Sequence, residues 1–330
     1  MAVRIGFIGT GGIAGAHRKS LVQIPNAQMV AFCDADEQRA NAAAEEHGGK
    51  AYTSYQAMLS DAQLDAVYIC LPPCFHGEFE DAVIEAGLPF FIEKPLDVDL
   101  QRARRTAAKV AEQGLITGVG YHWRHYDSID WLQAAIGERP IGLALGYWLG
   151  GTPGVWWWRK QETSGGQMVE QATHITDLAR YLMGEVTSVY AQYNLYRMHQ
   201  KLDGLDVADA GSATLTFENG AVCQIATTCA LEGHGQVGLD VHFGGQVAEI
   251  RAGTVTVKGA GADGVSNKNL VNPTVREDTF FVNAVDGVGD PALIRSPYAD
   301  ALKTLAVTLA MNESAASGQV VALAGAEQYV

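Results

Sequence analysis

Residues 3–14 read Val3-Arg4-Ile5-Gly6-Phe7-Ile8-Gly9-Thr10-Gly11-Gly12-Ile13-Ala14. An apolar run of strand length ends in a glycine-rich turn, and a helical pattern follows to about Gln23. Gly9-Thr10-Gly11-Gly12-Ile13-Ala14 fits G-x-G-x-x-A, and each position has a physical task. Gly9 permits the tight turn, Gly11 lets a pyrophosphate approach the backbone, and Ala14 lets the helix lie close to the sheet. Free N–H groups around Gly12 and Ile13, with the helix dipole, then attract the phosphates. Asp34 stands about 20 residues further on, at the end of a second predicted strand. Such an acid accepts hydrogen bonds from ribose hydroxyls and repels a 2′-phosphate. Ala35 follows it, not Arg or Ser, so the reading is NAD, with NADP disfavoured. The competing role for Asp34 is to cap the next helix. Arg39, one turn on, is expected to face solvent.

Outward from this motif, strands at 28–33, 64–71, 89–92 and 116–121 alternate with helices at 36–47, 76–86 and 99–113. That alternation means parallel βαβ units, hence a Rossmann domain over residues 1–122. The pattern changes at residue 123. A helix at 126–136, a strand at 141–149, a loop at 150–166 and a helix at 167–183 lead into long alternating runs. These lie at 186–198, 207–218, 221–231, 236–243 and 246–257. Glu218-Asn219-Gly220 is a hairpin signal between two of them. Residues 259–272, rich in Gly, Asn and Lys, read as an exposed loop, and 275–287 and 297–316 as helices. The fold class is therefore α/β: an N-terminal Rossmann domain, then a C-terminal α/β domain over 123–330 with a large, mostly antiparallel sheet.

The net charge of −14, from 23 basic and 37 acidic residues, argues against nucleic acid and anionic membranes as partners. No apolar run reaches membrane-spanning length. The five cysteines, Cys33, Cys70, Cys74, Cys223 and Cys229, form no C-x-x-C pair and suit a reduced, cytoplasmic protein. The histidines and acids show no H-x-x-x-H or comparable spacing, so no metal site is expected.

Glu93-Lys94-Pro95 introduces a resemblance. With the glycine turn, Leu71-Pro72-Pro73 and His76, and Gly165-Gly166 leading to Glu170, His174 and Asp177, the chain resembles the Gfo/Idh/MocA oxidoreductases over nearly its whole length. The resemblance implies NAD(P)-dependent redox chemistry, mostly on sugars, cyclitols and related polyols. It places Leu71, Pro72, His76, Glu93 and Lys94 by the cofactor. It implies that the helix at 297–316 packs back on the first domain. It also implies a homodimer or homotetramer formed through the open sheet.

Alcohol oxidation needs the carbinol hydrogen aimed at the cofactor, a base for the hydroxyl proton, and a donor for the oxygen as charge develops. Lys94 follows a predicted parallel strand, at the end where ligands bind such sheets, and Pro95 keeps the backbone before it extended. Lys94 is the candidate to polarise the oxygen. Glu170, His174 and Asp177 share one predicted helix at spacings of four and three, hence one side of it. His174 is the candidate general acid/base. The family usually has Asp at the position of Glu170 and often Gly at that of Ala172. The longer Glu170 either supports His174 or reaches substrate itself. Tyr121 and Arg124 are candidate donors to substrate hydroxyls. Of Trp156, Trp157 and Trp158, the last is the candidate sugar-stacking face, although the three together also suit a buried junction. Two other functions fit the fold, a redox-neutral NAD-dependent glycoside hydrolase and a dinucleotide-dependent regulator. Retention of Lys94 and His174 argues against the regulator.

Overall fold

The structure is a computed structural model that describes residues 2–323. Residues 324–330, the end of the second domain assigned from the sequence, lie outside the described residues. The chain forms two compact units, Met1–His125 with Val271–Leu302, and Tyr126–Leu270 with Lys303–Val330. Residues 271–302 thus join the first unit, whereas the sequence reading assigned them to the second domain. The last long helix, Tyr298–Ser317, passes from one unit into the other.

In the first unit six strands form one parallel sheet: β1 (Val3–Ile8), β2 (Ala27–Cys33), β3 (Lys50–Tyr52), β4 (Ala66–Ile69), β5 (Phe90–Ile92) and β6 (Thr117–Val119). Their order is β3-β2-β1-β4-β5-β6. The order reverses between β1 and β4, the switch point at which doubly wound sheets bind ligands. β1 and β4 are buried almost throughout, which is why they read as continuous apolar runs. Phe32, Phe7, Tyr68 and Phe91 stack across four adjacent strands at 5.8, 5.2 and 5.0 Å. Phe281 of the helix Pro273–Val285 packs edge-on against Tyr68 and Phe91. This apolar contact accounts for the return of that segment to the first unit.

Among its described residues the second unit holds nine strands: β7 (Ile141–Leu149), β8 (Val186–Asn194), β9 (Ala210–Phe217), β10 (Val222–Thr228), β11 (Gln236–Phe243), β12 (Gln246–Arg251), β13 (Thr254–Gly259), β14 (Ala262–Lys268) and β15 (Val321–Ala322). They run in the order β14-β13-β12-β11-β7-β10-β9-β8-β15, all antiparallel except β7 with β10. The helix Thr173–Met183 lies close on β7, because Gly146 has no side chain; a Cβ there would stand 2.5 Å from Ile175.

Three sequence expectations change here. The run at 246–257 is a hairpin turning at Ala252 and Gly253, both with positive φ; alternation on both sides of the turn hides it. The loop at 259–272 contains β14, an edge strand held by pairing with β13 despite weak intrinsic β preference. The helix at 167–183 is broken. Gln167–Glu170 and Thr173–Met183 are separate, and the Ala172 N–H bonds back five residues to the Gln167 carbonyl instead of four.

Candidate active site

The glycine turn follows β1 and opens the helix Gly12–Leu21. Gly9 has φ +85, and a Cβ there would lie 2.4 Å from the Cys70 carbonyl oxygen at the end of β4. At Gly11 and Gly12 the opposite holds, since a Cβ at either position meets nothing within 4 Å. The loop therefore leaves open space over a helix N-terminus with no side-chain cap on its N–H groups. That is the cradle a dinucleotide pyrophosphate requires. Ile13 is exposed beside it and Ala14 is fully buried against the sheet.

Asp34 does not cap the next helix. Asp36 does, accepting from Gln38 and Arg39 N–H. Asp34 ties β2 to the glycine loop. Its Oδ2 accepts from the Thr10 N–H at 2.9 Å and hydroxyl at 3.1 Å, and its Oδ1 from the Asp36 N–H at 2.9 Å. Arg39 faces solvent as expected, while its guanidinium reaches to within 3.3 Å of Asp34 Oδ1 and 3.2 Å of Asp36. Its side chain is 58% exposed, so it is free to yield to a ribose hydroxyl.

At the ends of β4 and β5 the loops are fastened to one another. His76 is buried with Nδ1 2.7 Å from the Leu96 carbonyl and Nε2 3.1 Å from that of Leu71, and Glu80 stands 3.5 Å away. The ring faces protein groups on both nitrogens and ties the Leu71-Pro72 turn to the Leu96 loop. Glu93 also points inward. Its Oε1 meets His17 Nε2 at 2.9 Å and its Oε2 accepts the Lys94 N–H at 3.1 Å, so both carboxylate oxygens are engaged within the protein. Lys94 is half-buried at the carboxyl end of β5. His122, after β6, is pushed down to about 4 by burial, with the Lys94 and His17 charges adding to the effect against Glu93.

Two expected substrate donors lie inside the first unit. Tyr121 is fully buried. Arg124 is 3% exposed, with Nη1 donating to the Arg295 carbonyl at 2.6 Å and paired with Asp300 at 2.6 Å. These contacts fasten the 295–300 segment, so neither residue fits a role in meeting substrate hydroxyls.

In the second unit the break at Gln171-Ala172 puts Glu170 and His174 on two helical segments, where one continuous helix was expected. Glu170 Oε2 accepts the indole N–H of Trp158 at 2.8 Å. Trp158 is wholly buried with Leu205, Val207 and Cys229, so its face is not open to a sugar; Trp156, 64% exposed, is. His174 stacks on Trp148 of β7, with ring centroids 5.9 Å apart and planes at 20°. Asp177 is fully buried and accepts from the Thr304 hydroxyl at 2.8 Å.

Residues 3–121 match the family described as oxidoreductase, NAD-binding Rossmann fold (GFO_IDH_MocA), and residues 142–260 match the GFO/IDH/MocA C-terminal domain. The chain belongs to the Gfo/Idh/MocA family. It is 31% identical over 226 residues to an uncharacterized oxidoreductase of Bacillus subtilis, covering 67% of this chain and 65% of that one, slightly under two thirds of the relative's length. It is 27% identical over 333 residues to the 1,5-anhydro-D-fructose reductase of Ensifer adhaerens, covering 96% and 97% of the two chains. The solved structure of a levoglucosan dehydrogenase in complex with NADH and levoglucosan superposes with a TM-score of 0.88 at 20% identity, over 98% of this chain and all of that one. At that identity the likeness speaks for the Gfo/Idh/MocA fold.

Three residues escaped the sequence reading: His17 on the helix Gly12–Leu21, His122 after β6, and Trp148 on β7 of the second unit. His17 had a signal, since Ala14, His17 and Ser20 form one buried stripe on the helix Gly12–Leu21. The expectation of no metal rested on chain spacing. Among the described residues, His17, Glu277 and Asp278 bring ligand-type atoms within 4.8 Å of one another. Both His17 nitrogens are engaged by carboxylates, so this is a hydrogen-bonded ionic cluster.

Proposed function

We propose that this Gfo/Idh/MocA protein is an NAD-preferring dehydrogenase of a sugar, cyclitol or related polyol. One observation carries the reading: Lys94 ends β5 on the same edge of the parallel sheet as the open glycine cradle after β1. When bound, the nicotinamide supplies the hydride acceptor. The Gly11-Gly12 backbone and the helix N-terminus would hold the pyrophosphate, and Asp34 the adenosine ribose. Lys94 Nζ donates to the substrate oxygen and stabilises it as charge develops. His174 takes the hydroxyl proton, its ring set by the Trp148 stack. Glu170, oriented by Trp158, assists. A panel of sugars and polyols with NAD, read at the reduced-nicotinamide absorbance, tests this. Product sugar without that absorbance would instead indicate a redox-neutral hydrolase.

The cofactor preference follows from charge. A 2′-phosphate would meet the Asp34 carboxylate, and like-charge opposition costs at least about 1.4 kcal/mol, or tenfold. Turnover with NAD should exceed that with NADP by at least this factor. Asp34→Ser should narrow the ratio or reverse it, because Arg39 then has only the phosphate and Asp36 to pair with. Steady-state kinetics with both cofactors decides, and an unchanged ratio would remove Asp34 from the account.

The sheet face of the second unit that exposes Leu143, Leu145 and Tyr190 supports self-association into a dimer or tetramer. Light scattering should give more than one chain per particle. The double change Leu143→Glu and Leu145→Glu should reduce this to one. None of the five cysteines is in a disulfide, consistent with a reducing, cytoplasmic setting. No helix among the described residues is long and apolar enough to cross a membrane.

A further inference from the structure

Next to the Lys94 strand end lies a buried ionic cluster that the proposed chemistry leaves unused. His17 is 1% exposed. Its Nδ1 is 2.8 Å from Asp278 Oδ1 and its Nε2 is 2.9 Å from Glu93 Oε1. Carboxylate oxygens accept, so both ring nitrogens must carry hydrogen and His17 is an imidazolium. Tyr68 donates to the same Asp278 oxygen at 3.2 Å. The rings of Tyr68 and Phe91 stand 5.3 and 4.9 Å from the imidazole and close off water. Burial by itself would lower the His17 pKa, but Asp278 and Glu93 outweigh it and hold the ring well above its ordinary value.

The other titratable groups packed around the ring are pushed toward their neutral forms. Glu277, beside Asp278 on the helix Pro273–Val285, is raised well above its ordinary value by burial and by the Asp278 and Glu93 charges, against His17. Burial pushes the Cys70 thiol after β4 up to about 12 and the Tyr68 phenol well above its ordinary value, while His122 is neutral. The His17 ring thus stands between two carboxyl groups, those of Glu93 and Asp278. Glu93 is fixed on three sides: by His17, by the Lys94 N–H at 3.1 Å, and by Gly120, where a Cβ would stand 2.5 Å from Oε1.

We propose that His17 is a positioning residue for Lys94: the imidazolium, anchored on Asp278, clamps the Glu93 carboxylate, which holds the Lys94 backbone and sets a negative charge beside the lysine. This rests on Lys94 being the group that meets the reacting oxygen. Two substitutions in the full chain separate the clamp from mere packing. Glutamine places its amide nitrogen where His17 has Nε2, so His17→Gln keeps the Glu93 contact. Asparagine places it at Nδ1, so His17→Asn keeps only the Asp278 contact. Both remove the charge. kcat should fall about tenfold in His17→Gln and about a hundredfold in His17→Asn, the range typical of supporting-shell changes. KM for NAD and the rise in melting temperature on adding NAD should stay at wild-type values.

Asp278→Asn, which leaves the ring in place, should lower kcat in the same direction, and it serves if the His17 variants do not fold. NMR of the folded wild-type chain with 15N-labelled histidine should show one ring with both nitrogens protonated at pH 8. Equal losses in His17→Gln and His17→Asn, a wild-type kcat in Asp278→Asn, a neutral His17 ring, or one tightly bound metal ion per chain would each overturn the proposal. An inactive Lys94→Ala beside a fully active His17→Asn would sink the clamp and spare the lysine. A fully active Lys94→Ala would remove both.

Discussion

Lys94→Ala loses about three orders of magnitude in kcat, within the range of a lost general acid or charge-stabilising donor, and still binds NAD. The two effects separate because the residues that would hold the cofactor lie elsewhere. The cradle is made by the Gly11-Gly12 backbone, and Asp34 is fixed by Thr10 and Asp36. Lys94 contributes its ammonium at the end of β5, while its backbone N–H stays bound to Glu93 in the alanine variant. Isothermal titration with NAD and turnover on the best polyol check this together. Near-wild-type turnover would exclude Lys94 from the chemistry, and loss of NAD binding would make it a cofactor residue. Lys94→Arg should recover little, because a planar guanidinium does not place a point donor where the ammonium stood.

The second large effect distinguishes two glycines two residues apart, Gly9 and Gly11. Gly9→Ala should destabilise the first unit by about 3 kcal/mol or more, since it combines a positive φ with a Cβ driven against backbone. The obstacle is the Cys70 carbonyl on the neighbouring strand, which has no rotamer to adopt. Gly11→Ser should do the reverse. Its φ of −69 suits any residue, nothing stands within 4 Å of a Cβ, and a serine hydroxyl can cap the free N–H groups of the helix. Its melting temperature without NAD should equal or slightly exceed that of the wild type. NAD affinity should fall about a hundredfold or more, because the side chain fills the pyrophosphate space and competes for its donors. Thermal melting with and without NAD reads both effects, since a bound ligand raises the transition only where it still binds. A Gly11→Ser protein still stabilised by NAD like the wild type would refute the cradle.

Much of the cofactor half was legible in the sequence because its determinants are local. A tight turn needs glycine at Gly9, a helix N-terminus follows within three residues, and buried parallel strands show as unbroken apolar runs. Asp34 was found by spacing alone. Its contacts were not, since Thr10 reaches it only when β1 and β2 lie side by side. Arg39 faces solvent as its helix position implied, but its contact with Asp34 is a matter of side-chain reach that periodicity does not encode. The second unit was legible as a mostly antiparallel sheet, but its turns at 252–253 and its edge strand at 262–268 were hidden by alternation and weak composition.

The substrate-side residues show the limit most clearly. Glu170 and His174 sit four apart in sequence, yet a slipped backbone bond at Ala172 breaks the helix between them, and Glu170 accepts from Trp158, 12 residues back in the chain. Arg124 and Tyr121 looked like donors and are buried, because whether a polar group meets solvent depends on what the rest of the chain brings over it. Sequence by itself determined the Rossmann start, the dinucleotide cradle, the strand-end lysine and the antiparallel second sheet, all of which follow from backbone geometry and periodicity over a few residues. Tertiary structure alone decided that Asp278, 261 residues from His17, completes a buried ion network beside Lys94. Burial and charge pairing are set by what is near in space, and no local pattern in the chain records that.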